Sequence, residues 1–223
     1  MKRRELFFAS IILCLFVVFS LLVEQNLFQH LDLSITVKLQ DHISDSFDTG
    51  FSLFSLIGSA EIISLFLLFP ALVYYKWRSL VIFFSYAFGL FIEVIGKTFL
   101  IHSGPPHLFS RYDLGFSLPT GYIHTLHSYP SGHSYRTAFV VYVWFLFLYE
   151  TAKTRTQKIV AFSATGSFCA IMLISRVSLG EHWTTDVVGG SLLGLGLAVA
   201  SCAFRETRLS QNIQKKKYAS NTS

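Results

Sequence analysis

MKRRELFFASIILCLFVVFSLLVE (residues 1–24) opens on Lys2, Arg3 and Arg4 and then runs from Leu6 to Val23 without a charge. A helix needs about 20 apolar residues to cross roughly 30 Å of hydrocarbon, so 6–23 is predicted to span a bilayer. The run is long and lacks a small-x-small cleavage site, which favours a retained anchor over a secretory signal. Working outward, five further segments have the same character: 52–75, 79–101, 132–149, 158–178 and 183–204. The bulk composition agrees. Hydrophobic residues make up 52% of the 223 and charged residues 14%, against about 25% charged in a soluble domain, and mean hydropathy is +0.51.

Lysine and arginine set the expected orientation. Both ends of the chain and the connections near 76–78 and 153–158 hold 13 of the 18 basic residues, whereas the other side holds Lys38, Lys97, Arg111, Arg136 and Arg176. The crowded side is expected to be cytoplasmic, with both termini inside. The net charge of +5 forms no single stripe, which argues against a nucleic-acid partner. The expected architecture is all-α and polytopic. Six transmembrane helices make one unit over 1–205, and a polar, basic cytoplasmic tail follows over 206–223.

Between spans one and two, Leu27, Leu31, Ile35, Leu39, Ile43 and Phe47 recur every fourth residue among polar ones. That pattern predicts an external amphipathic helix, either a linker packed on the bundle or a wall of a lipid entrance. In the last span, Gly190 and Gly194 suit close helix packing within the monomer. Cys14, Cys169 and Cys202, odd in number and far apart, read as small buried hydrophobes.

Under this topology three polar clusters share the external side, where ionisable groups are informative because they are costly near lipid. Lys97 lies four residues after Glu93 on one helix face; taken alone it is a snorkelling lysine paired with that glutamate. Pro130-Ser131-Gly132-His133 stands at a helix start, where backbone N–H groups and the serine hydroxyl suit an anion and a histidine can exchange a proton. Ser175-Arg176 is followed by His182 and, four residues on, Asp186. A carboxylate on one imidazole nitrogen leaves the other nitrogen as nucleophile, and a guanidinium fork matches phosphate oxygens.

The three clusters in this order resemble the type 2 phosphatidic acid phosphatase family, membrane lipid phosphatases related to vanadium haloperoxidases and bacterial acid phosphatases. That family shows K-x6-R-P, P-S-G-H and S-R-x5-H-x3-D. The second and third motifs match in full as Pro130–His133 and Ser175–Asp186, while the arginine of the first is replaced by Gly104. Arg136, one turn after His133, is the preferred substitute; Arg111 in the external loop is the other candidate.

The resemblance implies hydrolysis of a lipid phosphate or diphosphate at the extracytoplasmic face of the plasma membrane. His182 would be the nucleophile, oriented by Asp186, with His133 protonating the leaving group. Lys97, Ser131, Gly132, Arg176 and Arg136 would hold the phosphate, with no metal or other cofactor. Transfer of phosphate to a second lipid, or a degenerate membrane-binding role left by the change at Gly104, are the alternatives. The long connection 102–130 is a candidate lid. His102, His107, His124 and His127 in it are expected to be interfacial or packing residues, since none has a visible partner in the sequence.

Overall fold

The computed structural model describes residues 2–75, 79–112, 114–116, 118–119 and 127–204; His124 and the tail 206–223 lie outside them. Eight α-helices follow one another: α1 Lys2–Glu24, α2 Gln29–His42, α3 Asp48–Ile57, α4 Ala60–Pro70, α5 Ser79–Phe99, α6 Gly132–Thr151, α7 Arg155–Ser178 and α8 Thr184–Cys202. Local chemistry sets their starts. Ser59 caps α4 through Ile62 N, Ser131 caps α6 through Ser134 N, and Thr154 forms a capping box with Gln157 at α7. Each side chain satisfies an amide that the helix leaves without a partner.

Four helices, Arg3–Glu24, Leu80–Phe99, Arg155–Ser178 and Thr184–Cys202, are each long and apolar enough to cross a membrane. Their outward faces carry Phe8, Leu15, Phe84, Phe91, Val160 and Phe162, all more than half exposed. Apolar surface on that scale needs an apolar solvent. α8 differs: 72% of its most apolar window is buried, against 17–28% in the other three. It is the central post, packed mainly on α6 and α1, with α5 alongside.

Two expected spans take another form. The segment 52–75 is not one helix. α3 ends at Ile57, Gly58 and Ser59 interrupt it, and α4 leaves at 54° before a π-helical turn over Ala71–Tyr75. Ser59, in extended geometry, starts a new helix instead of continuing the old one. The fourth segment, α6, has 20 residues but is not among the helices apolar enough to cross alone. Its first half is enclosed by protein, with Ser134, Tyr135, Arg136 and Thr137 all buried, so it has less need of a lipid-compatible surface there.

The amphipathic segment forms α2, shorter than the apolar stripe that announced it. Its two buried residues are polar, Asp32 and Thr36, while Leu31, Leu33 and Val37 face out. Polar side chains turn inward because partners wait there. Gln40 Nε2 donates to Phe109 O (2.7 Å) and Ser178 O (2.9 Å). Of the cysteines, Cys202 is buried as expected, whereas Cys169 is half-buried and Cys14 faces outward from α1.

At Gly190 and Gly194 the contact between α6 and α8 is main chain to main chain. A Cβ on Gly190 would overlap Ser131 O, and one on Gly194 would overlap Tyr135 O. Both glycines therefore serve packing inside this chain, where small residues let two backbones approach.

Candidate active site

At one end of the bundle, the start of α8 meets the start of α6. Ser131 N donates to Asp186 O (3.0 Å), which joins the Pro130–His133 segment directly to the His182–Asp186 segment. His182 Nδ1 donates to Asp186 Oδ2 (3.2 Å), and the same oxygen accepts from Trp183 N (3.0 Å). The carboxylate is fully buried. It fixes the imidazole so that Nε2 is the free nitrogen, the arrangement a nucleophilic histidine requires. Burial first, then the charges of Arg176 and Lys97, hold the His182 imidazole well below the usual histidine range. It is therefore neutral, and its free nitrogen unprotonated, over a wider span of pH than an ordinary histidine.

Behind Asp186 lies a set of partners that the sequence did not reveal. His102 Nε2 sits 3.4 Å from Asp186 Oδ1 and 3.3 Å from Thr185 Oγ1. Thr185 in turn donates through Oγ1 to Asp32 Oδ2 (2.7 Å) and through its amide to Asp32 Oδ1 (2.9 Å). α2 thus sends one buried carboxylate into the back of the site; burial pushes the Asp32 carboxyl up, opposed by the two Thr185 bonds. His102, expected to have no partner, has two. The contacting pairs are 83 to 153 positions apart along the chain, so no local spacing could announce them. The one available hint was a carboxylate, Asp32, seven residues before Leu39 and so on the stripe side of an amphipathic helix.

His133 lies on the first turn of α6. Its ring packs over the break between α3 and α4, where a Cβ on Gly58 would come within 2.8 Å of His133 Cδ2. It is close enough to Arg176, Arg136, His182 and Lys97 to feel each charge. Ser131 is fully buried and accepts from Ser134 N (3.4 Å) and Ser134 Oγ (3.1 Å).

The cations are brought together with carboxylates between them. Arg176, 2% exposed, donates through one terminal nitrogen to Ser55 Oγ and through the other to Glu181 Oε2 (3.1 Å). Lys97 Nζ lies 2.9 Å from Glu93 Oε1, and Arg136 NH1 lies 3.0 Å from Glu93 Oε2. Arg136 Nε donates to Gly58 O (3.3 Å). A Cβ on Gly132 would overlap the Glu93 carboxylate. Lys97, Arg136 and Gly132 therefore meet around Glu93, and the break in the second span supplies an acceptor to each arginine, Ser55 to Arg176 and Gly58 to Arg136. Gly58-Ser59 inside a long apolar run was the signal for that break.

Of the two candidate substitutes for the arginine absent at Gly104, Arg136 lies at this corner beside Glu93. Arg111 is committed elsewhere. It pairs with Asp45 and with Asp48 Oδ2 (2.9 Å) and donates to Gln40 O (3.1 Å) and Ile43 O (3.2 Å). It clamps the connection to α2 and α3. Asp45 and Asp48, between α2 and the start of α3, hold it there. Gly104 itself is exposed, in ordinary contact distance of Ser128.

Comparison with known proteins places this geometry. Phosphatidylglycerophosphatase B of Bacillus subtilis is 43% identical over 70 residues, a stretch covering 30% of this chain and 34% of that protein. The match thus spans about a third of the relative's length. The crystal structure of the first transmembrane PAP2-type phosphatidylglycerolphosphate phosphatase, also from Bacillus subtilis, superposes with a TM-score of 0.68. That superposition covers 93% of this chain and 96% of the other at 20% identity, a likeness of fold. The model of the PAP2 superfamily matches residues 78–210, more than half of the chain and all three polar clusters. The chain belongs to the PAP2 superfamily.

Proposed function

We propose that the protein is an integral membrane phosphatase that hydrolyses a lipid phosphate or diphosphate through a phosphohistidine intermediate, at the extracytoplasmic face. The observation that carries this reading is the pairing of half-buried His182 with fully buried Asp186. It presents a neutral imidazole beside Arg176 and Lys97 and is joined through Asp186 O to the start of α6. His182 Nε2 would attack phosphorus in line with the departing lipid oxygen, and His133 would protonate that oxygen as the P–O bond breaks. Water, deprotonated by His133 in its turn, would then cleave the P–N bond and release inorganic phosphate. Lys97, Arg136, Arg176, Ser131 and the Gly132 amide would hold the oxygens and balance the charge that develops on them.

The topology proposed with it has six spans, counting broken α3–α4 as the second and α6 as the fourth. Both termini are cytoplasmic, the tail over 206–223 included, and no metal takes part. The protein would sit in the plasma membrane, with a phosphorylated lipid as its substrate. Polyprenyl diphosphate, phosphatidic acid and phosphatidylglycerol phosphate are the lipids to try, and the name of the Bacillus relative favours the last. The full chain in detergent is offered each lipid with EDTA present, and released phosphate is measured. Release that survives EDTA and vanishes in His182→Ala is expected. Release unaffected by that substitution would remove the mechanism, and a requirement for an acceptor lipid would turn the reading into phosphate transfer.

A further inference from the structure

The three cations of the site do not stand free. Glu93 bridges Lys97 Nζ (2.9 Å) and Arg136 NH1 (3.0 Å) with its two oxygens, and Glu181 takes Arg176 NH2 (3.1 Å). Three positive charges and two negative ones leave one net positive charge where the phosphate is to bind, with Asp186 engaged by His182. A phosphate monoester carries about −1.5 to −2 near neutral pH. It slightly exceeds that balance; a terminal diphosphate adds a further negative charge and exceeds it by more. In an enclosed site such an excess is unfavourable, because like charges a few ångströms apart repel strongly where little water screens them.

Geometry points the same way. Glu93 is 7% exposed, and its carboxylate rests against Gly132 at the beginning of α6, in the space a Cβ would fill. One anion position at that helix start is therefore already taken by the protein's own carboxylate, with Lys97 and Arg136 turned toward it. Single hydrogen bonds to Glu93 leave both cations with donors for one phosphoryl group. A second phosphoryl group would meet Glu93 in place of an unshared cation.

We propose that Glu93 sets the substrate class. The site takes lipids ending in a single phosphate and discriminates against lipid diphosphates. Glu93 acts through Lys97 and Arg136, as a positioning residue that determines specificity, and Glu181 contributes in the same sense through Arg176. This rests on the phosphatase reading above and narrows it.

The test uses two probes with one tail, farnesyl phosphate and farnesyl diphosphate, given to the full chain in detergent micelles. kcat/KM is taken from released phosphate. The parent should favour the monophosphate by about tenfold or more. Glu93→Gln, which keeps size and hydrogen bonding but drops the charge, should move the ratio toward the diphosphate by about tenfold, chiefly through KM. Glu181→Gln, at a partly exposed carboxylate, should move it the same way by less, and it answers the question if Glu93→Gln does not fold. Equal or better cleavage of the diphosphate by the parent overturns the proposal, as does a loss of rate in either variant that leaves the ratio unchanged. Those outcomes spare the phosphatase reading; release from neither probe and from no phosphorylated lipid defeats both.

Discussion

The two sides of the site are built on opposite plans. On the histidine side, polar groups are backed in series: His182 by Asp186, Asp186 by His102, and His102 by Thr185, which is held by Asp32. Hydrogen bonds orient His182 and Thr185, while His102 Nε2 stands 3.4 Å from Asp186 Oδ1 as a contact behind the carboxylate. On the cation side, Lys97, Arg136 and Arg176 are balanced in parallel by Glu93 and Glu181. The first plan suits a group that must point one way throughout a reaction. The second suits groups that exchange a protein carboxylate for a substrate oxygen and back again. Orientation is bought on one side, and readiness to trade partners is kept on the other.

If the series arrangement serves nucleophilic attack, its front member carries the largest effect. His182→Ala should lower phosphate release by about 10⁴-fold or more, with the fold retained by circular dichroism. A modest loss would mean that the ring only binds. Asp186→Asn keeps the shape but weakens the hold on the useful tautomer, so kcat should fall by about 10³–10⁴-fold. A change confined to KM would contradict an orienting role.

At the back of the series, Asp32→Ala leaves the Thr185 amide and hydroxyl without their acceptor. About 1–3 kcal/mol of stability should be lost, read as a lower thermal midpoint in detergent, together with reduced kcat. An unchanged midpoint would show that α2 is not tied to the site through this residue. The acid limb of kcat/KM sharpens the comparison further. Because the His182 imidazole is held below the usual histidine range, protonation inactivates it only at lower pH, and activity should persist below the ordinary imidazole pKa of about 6.5. An acid limb at or above that value would contradict the burial of His182. The smallest effect is expected at Arg111, which lies on neither side. Arg111→Ala should lower the thermal midpoint by a few degrees and leave the phosphomonoester kcat close to the parent's.

How far the sequence foretold this differs between the same two sides. His182, Asp186, Arg176 and Lys97 stood out because ionisable residues are rare in apolar runs, and the i, i+4 spacing of two pairs suggested a shared helix face; Glu93 and Lys97 have one, whereas His182 stands ahead of α8 and meets Asp186 across the N-cap. The Glu93–Lys97 pair was read from that spacing and occurs at 2.9 Å. The backing residues were hidden for a physical reason. Their contacts join α2, the start of the long connection and α8, and no periodicity records which distant hydroxyl a buried carboxylate will meet. His102 illustrates it: as one of four histidines in a polar connection, nothing local set it apart. The apolar stripe of α2 was legible, but periodicity says only that two faces differ. Here the enclosed side is mixed, with Asp32 and Thr36 buried next to half-buried Ile35 and Leu39, because the buried end of the bundle had donors to offer. The break at Gly58-Ser59 was missed because hydropathy averaged over a window does not register one helix ending and another beginning.

Gly190 and Gly194 carry a consequence for inheritance. The spacing between α6 and α8, and with it the separation of the segments bearing His133 and His182, is set where backbone touches glycine. In a saturation library scored for phosphate release, these two positions should accept almost nothing, alanine included. Val188, on the outward face of the same helix at 40% exposure, should accept most apolar residues. The gauge of the site is thus written in residues that have no chemistry of their own, and lineages of this protein are free to change their lipid-facing coat long before they can change that gauge.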